Sequence, residues 1–375
     1  SPPAAALANG TLAHFLDYDD FAWVYYGHPS VAILPAALAV GEQVGATGSD
    51  ILEAYAIGLE VACKVGAAIS PQHYQRGFHP TGTIGAFGAA AAAGKLLDLT
   101  RDQMLCALGI AGATTAGLRE NFGFMAKPLQ AGRAAENGVR AAALAKMGLT
   151  ASRRTFETES GFYGSYVGLA NVDQTRLASP GNPWHLGIYF KPYPCCACTF
   201  PALDAAIAMG KKHDVVAMDV ATIRCGTNPQ SVEVLIHHRP RTGIQGRFSL
   251  EYCVALGLTE KAARIEHFTD AKVQDPVLQD LIGKTEVYVH PDLPGYATGG
   301  AVLEVQLRDG TVLSETVEVV RGNPENPLST AELHQKYLDC ARLVVPEDVA
   351  RSTAEMLLNL RALKDIGDFT GTLVN

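Results

Sequence analysis

From residue 30 to about residue 147, apolar positions recur at helical spacing and predict helices over 50–69, 81–97, 100–117 and 128–147. Asp50 with Glu53 and Thr100 with Gln103 have the three-residue offset of a capping box, in which each side chain satisfies a free N–H of the first turn. Alanine runs such as 89–93 remove side-chain bulk and let helix axes approach, so this stretch predicts a tightly packed bundle. The glycines at 82, 85 and 88 follow no strand and precede no phosphate-binding lysine. Helix packing explains them better than a nucleotide loop.

The texture changes after Gly181-Asn182-Pro183. A helix over 201–211 gives way to strand-like alternation over 220–225, 231–236, 285–290, 301–308 and 311–319, and Asp309-Gly310 predicts a two-residue type I′ hairpin turn. A helix over 247–258 interrupts the strands, and helical period returns over 330–344 and 346–363. The expected architecture is mainly α with a smaller α+β second domain. A large all-helical domain is built from both chain ends, 1–184 and 326–375, with the α+β domain at 185–325.

With 375 residues, 48% hydrophobic and 18% charged, the chain has ample apolar surface for two cores. A net charge of -8 without a basic cluster argues against nucleic acid and anionic membranes as partners and favours a small molecule. No apolar run has the roughly 18 residues a membrane span needs, and Ser1-Pro2-Pro3 carries no signal-peptide pattern, so a cytoplasmic protein is expected. The eight cysteines lie mostly in apolar stretches of a chain too large to need disulfides, and reduced thiols follow. Cys195-Cys196-Ala197-Cys198 lacks the spacing and second ligand pair of a zinc site, so small buried thiols and no metal are expected.

Candidate chemistry lies where a basic residue precedes proline. His28-Pro29 and His79-Pro80 each stand before an apolar run; proline pushes the preceding residue into extended backbone, ahead of helix N–H groups that attract anions. Lys127-Pro128 and Lys191-Pro192 repeat the arrangement in apolar contexts, where desolvation is expected to lower the pKa of the amine. Asp17, Asp19 and Asp20 crowd together, so at least one must be paired or carry a raised pKa. Together these groups suit a polycarboxylate and proton abstraction beside a carboxylate. His79 is the expected base; His28, Asp17, Lys127 and Lys191 complete the catalytic set, and Asp20, Thr81, Gln130 and Tyr193 are candidate substrate contacts. No Gly-x-Ser-x-Gly nucleophile elbow occurs.

Several segments together resemble the MmgE/PrpD family. They are Ala8-Asn9-Gly10, the run from Ala13 to Asp20, Gly27-His28-Pro29-Ser30, Phe78-His79-Pro80-Thr81-Gly82-Thr83, Lys127-Pro128-Leu129, Ala134-Ala135-Glu136-Asn137-Gly138, the run from Lys191 to Cys196, the run from Phe248 to Cys253, and the run from Asn323 to Leu328. The resemblance implies a cofactor-free site between a helical and an α+β domain, usually in a homodimer, with active-site positions on Asp17, His28, His79, Lys127 and Lys191. The expected activity is a lyase on a small hydroxy-polycarboxylate, in the manner of 2-methylcitrate dehydratase. Two alternatives are an epimerase using the same proton abstraction and an inactive carboxylate-binding protein. The last is motivated by Phe21, Gln130 and Phe200, which stand where the family often has polar residues. The spacing from Asp17 to His28 is longer than cis-aconitate decarboxylases tend to have. The family's leading helices, which normally precede Ala8-Asn9-Gly10, are expected to be missing from the sequence.

Overall fold

In a computed structural model, residues 1–177, 179–293 and 299–374 are described. The first part is built from α1 (Pro2–Phe15), α2 (Ser30–Val44), α3 (Gly48–Ala67), α4 (Gly85–Leu96), α5 (Arg101–Thr114) and α6 (Ala126–Lys146). The long α6 packs against α1, α2, α4 and α5, and α3 against α4. The alanine and glycine positions make this closeness possible. A Cβ on Gly58 would stand 2.6 Å from the Gly88 carbonyl oxygen, and one on Gly88 2.8 Å from that of Gly58, so α3 and α4 meet backbone to backbone.

Thr100 and Gln103 form the predicted capping box of α5. At α3 the box lies three residues earlier than expected, with Thr47 as cap and Asp50 reaching back to it, because that hydroxyl and carboxylate can satisfy each other's N–H groups. Helix α1 precedes every predicted helix; its buried stripe, Ala6, Gly10 and His14, is too narrow and too small to give an apolar signal.

The second part holds a four-stranded sheet in the order β4-β3-β5-β6, and a two-stranded ribbon ties it to the first part. In the ribbon, β1 (Asp20–Phe21) pairs antiparallel with β2 (Tyr189–Phe190), which brings the acidic segment beside Lys191. In the sheet, β3 (Val220–Thr227) runs parallel to β4 (Thr285–Val289) and antiparallel to β5 (Ala301–Leu307), and β6 (Val312–Val317) pairs antiparallel with β5. Helices α7 (Phe200–His213) and α8 (Leu250–Glu260) contribute Leu203 and Leu256 to a core shared with Ile223, Leu303 and Val305.

Two expectations fail here. Residues 231–236 are not a strand; Pro229–Val234 is a short helix, because Asn228 caps the Ser231 N–H and Pro229 occupies the first turn. The hairpin turn spans three residues, 308–310. Only its glycine has positive φ, +91°, the Gly310 N–H bonds the Leu307 carbonyl, and the Leu307 N–H bonds that of Thr311.

After the sheet, α9 (Thr330–Ala341) and α10 (Glu347–Leu358) pack on each other, and Ile366 and Phe369 then bury against Ala46 and Ile51 of the first part. The fold is thus a large helical part fed by both ends of the chain, with a smaller α+β part. No helix among the described residues is long and apolar enough to cross a membrane, and all eight cysteines are free thiols.

Candidate active site

Two lysines converge on one carboxylate where the helical and α+β parts meet. Lys127 Nζ lies 2.6 Å and Lys191 Nζ 3.0 Å from Asp17 Oδ1, and all three residues are buried. Burial by itself would raise the Asp17 pKa, but Lys127 and then Lys191 hold it well below the usual carboxylate range. Burial likewise opposes the charge on Lys191, and Asp17 and Asp19 more than reverse it, so its pKa is raised. The expected lowering of that amine does not occur: Lys191 is a fixed cation. Its ammonium also donates to the carbonyls of Asp17 and Cys195 at 3.0 and 3.2 Å.

The basic-residue-plus-proline rule holds for the histidines and fails for the lysines. His79 is extended (φ -95°, ψ 103°) ahead of the short helical turn Pro80–Thr83, and His28 precedes Pro29, the cap of α2. Lys127 instead lies inside the first turn of α6. Lys191 follows β2, and the next helical residues are Ala197–Thr199. The lysines are brought together by α6 and by the β1–β2 ribbon, not by helix entrances.

Three imidazoles stand beside the ion pair. Asp19 accepts from His14 Nδ1 at 3.0 Å and from His28 Nδ1 at 2.8 Å, and His28 Nδ1 also reaches the Asp20 carbonyl at 2.7 Å. His79 Nδ1 donates to Gln130 Oε1 at 2.6 Å, while Gln130 Nε2 donates to the Leu118 carbonyl at 3.2 Å. That second bond fixes which end of the amide faces His79, so Nδ1 carries the hydrogen and Nε2 presents a lone pair. Burial, reinforced by Lys127, holds the His79 pKa well below its ordinary value, and burial lowers that of His28 to about 3. His79 is therefore a neutral imidazole at neutral pH.

His79 Nε2 and Asp17 Oδ2 are buried and find no hydrogen-bond partner among the described residues. Both residues line a narrow cavity of about 30 Å³ together with Lys127, Lys191 and Cys196. Aromatic residues, Phe21, Trp23, Tyr26, Tyr74, Phe122 and Phe248, complete its lining, and the Phe122 and Phe248 rings pack on Lys127. The cavity has the mixed lining expected of a small-molecule site: a few convergent polar groups in an apolar shell.

Asp17, His28, His79, Lys127 and Lys191 all line this cavity, whereas the four expected substrate contacts do not. Asp20 turns to the far side of its segment, where Ser30 donates to it through N–H (3.1 Å) and Oγ (2.5 Å); burial raises its pKa to about 6. Thr81 Oγ1 accepts the His28 N–H at 3.0 Å, the Tyr193 hydroxyl donates to Asp204 at 2.5 Å, and Gln130 holds His79. Sequence reasoning assigned no role to His14 or to the buried Arg247, which donates to the Phe15 carbonyl at 2.5 Å.

His14, Asp17, Asp19 and His28 present metal-ligand atoms within 4.8 Å of one another. The charges do not suit a dication: the Asp17 oxygen already lies between two ammonium groups, and Asp19 is shared by two imidazole N–H groups.

The fold and the cavity define a protein with a buried lysine-histidine carboxylate site between a helical and an α+β part. Comparison with known proteins gives the same picture over nearly all of its length. The MmgE/PrpD N-terminal domain matches residues 1–175 and the MmgE/PrpD C-terminal domain residues 193–362, and the chain belongs to this family. It is 28% identical to the cis-aconitate decarboxylase of Homo sapiens over 385 residues, covering 99% of this chain and 79% of that protein. The cis-aconitate decarboxylase of Aspergillus terreus (strain NIH 2624 / FGSC A1156) is also 28% identical, over 404 residues, covering 97% of this chain and 80% of its own length. Family and relatives point to an enzyme of the MmgE/PrpD type.

Proposed function

We propose that this protein is a lyase acting on a small polycarboxylate, with His79 as the group that moves a proton at the carbon beside a carboxylate. The observation that carries this reading is the His79 imidazole. It is neutral, its Nδ1 hydrogen is committed to Gln130, its Nε2 has no hydrogen-bond partner among the described residues, and it lines a cavity with two lysines. Lys127 and Lys191 hold substrate carboxylates and offset charge developing on the reacting skeleton.

The hydroxy-acid dehydration expected from the sequence needs a proton donor at the departing hydroxyl. The cavity has Phe21 where the family often has a hydroxyl residue, and Tyr26 and Tyr74 are the hydroxyl-bearing aromatic residues of its lining. The names of the relatives favour decarboxylation of an unsaturated tricarboxylate. A bound polyanion beside His79 favours its protonated form, so Nε2 takes up a proton on binding. As the carbon–carboxylate bond breaks, its electron pair forms a new alkene, the former alkene carbon receives the His79 proton, and CO2 leaves.

The test is incubation of the full chain with cis-aconitate or 2-methylcitrate in D2O. The proposed reaction releases CO2 from cis-aconitate and places one deuterium on the unsaturated product. Dehydration instead yields an alkene from 2-methylcitrate without CO2, and an epimerase exchanges an α-proton of its substrate without either. His79→Ala is expected to lower kcat by about 10²–10⁴-fold; unchanged turnover would remove His79 from the chemistry.

A further inference from the structure

The three clustered cysteines are not equivalent. The Cys195 side chain is completely buried and contacts Thr199 Oγ1 at 3.2 Å, away from the cavity. Cys196 and Cys198 both line the cavity. Cys196 shares that wall with Lys127 and Lys191, and the unpartnered Asp17 Oδ2 and His79 Nε2 belong to the same lining. A thiol so placed differs from a packing thiol because two lysines in the same lining favour its anion.

We propose that Cys196 is a covalent modification site for carbon electrophiles that carry a carboxylate, α,β-unsaturated acids among them. The inference rests on the reading that the cavity takes a polycarboxylate: the lysines that hold its carboxylates bring an electrophilic carbon of the same molecule to the sulfur. With an unsaturated acid, the Cys196 sulfur bonds to the β-carbon. The alkene pair moves to the α-carbon as an enolate, and that carbon takes up one proton, replacing the one the thiol lost. The whole acid is added, nothing leaves, and no redox change occurs. With an α-halo acid, the sulfur displaces halide and the thiol proton passes to solvent. The neighbouring Cys198, with the ammonium groups of Lys127 and Lys191, holds the Cys196 pKa below the ordinary thiol value against the effects of burial and Asp17.

The test uses the full chain under reducing conditions, with iodoacetate and iodoacetamide compared site by site by mass spectrometry. Cys340, half-buried and outside the cavity, is the internal reference. The expected ratio of iodoacetate to iodoacetamide rates is about tenfold higher at Cys196 than at Cys340, the low end of electrostatic steering by a charged cleft. Citrate is expected to suppress labelling at Cys196 and not at Cys340. Cys198→Ala slows labelling at Cys196, Cys196→Ser abolishes it, and maleate adds its whole mass at the same sulfur. Equal ratios at the two cysteines, or labelling of Cys196 indifferent to citrate, would overturn the proposal. Turnover does not enter this readout. A chain that labels with carboxylate preference but processes no polycarboxylate keeps this inference and loses the proposed reaction. One that decarboxylates cis-aconitate without preferential labelling of Cys196 does the reverse.

Discussion

Asp17 and Asp20 are three residues apart, equally hidden from solvent, and held in opposite ways. Asp17 faces the cavity and lies between Lys127 and Lys191. Asp20 faces the other side, where Ser30 bonds it and the Tyr55 hydroxyl bonds Ser30 in turn, at 2.6 Å; of the charged groups acting on it, Asp19 raises its pKa and Lys336 lowers it. One carboxyl is driven to stay ionised and the other toward its neutral form. Burial is common to both, so the neighbours decide the charge: ammonium groups in direct contact outweigh desolvation, and hydroxyls do not.

The sharpest way to break this comparison is to remove the Asp17 charge. Asp17→Asn leaves two buried ammonium groups facing each other without a counter-charge, and a loss of about 3–5 kcal/mol in urea unfolding at pH 7 is expected. A loss below about 1 kcal/mol would mean that the lysines do not depend on Asp17.

At Asp20 the effect has the opposite pH signature. Its folded pKa of about 6 lies above the value of about 3.9 expected in the unfolded chain. The unfolded state therefore ionises first. The group's contribution to stability is full below about pH 4 and falls as the pH rises through 6, by about 3 kcal/mol. Asp20→Asn cannot ionise. Its unfolding free energy, relative to that of the natural sequence, should rise between pH 4.5 and pH 7; an unchanged difference would place Asp20 among ordinary carboxylates.

The smallest expected effect is Gln130→Glu, which carries the lesson of Asp17 to His79. A carboxylate in place of the amide favours the imidazolium, so the kinetic limb that reports His79 should move upward by about one pH unit. Gln130→Ala, which removes the acceptor without adding charge, should lower kcat more than it changes KM. An unmoved limb in the Glu variant would separate Gln130 from the catalytic proton.

Much of this comparison was legible in the sequence. Three aspartates in four residues demanded that one be paired or raised, and both outcomes occur, at Asp17 and at Asp20. The helices over 100–117 and 128–147 and the strands over 285–290 and 301–308 were readable because local period and caps agree with the tertiary packing. The strand expected over 231–236 was lost to a cap, since Asn228 and Pro229 act locally where alternation has no partner strand. The four expected substrate contacts lie outside the lining of this cavity for another reason: proximity in sequence does not say which side of a backbone a side chain takes. Thr81 and Tyr193 adjoin cavity residues, yet their hydroxyls serve the His28 N–H and Asp204. Gln130 reads as a substrate contact until the structure brings its amide to His79.

The return of the chain to its beginning has a consequence for biosynthesis. The Gly48 N–H bonds the Leu363 carbonyl and the Ile366 N–H bonds that of Ala46, so the helical part closes only with residues made more than 300 positions later. Vectorial synthesis must therefore hold α2 and α3 in an unfinished state, with Ala46 and Ile51 uncovered, while the whole α+β part emerges. Contacts of such long range are slow to form. A nascent chain halted after β6 should be the species that chaperones hold longest, even though it already contains every residue of the lysine-histidine cavity.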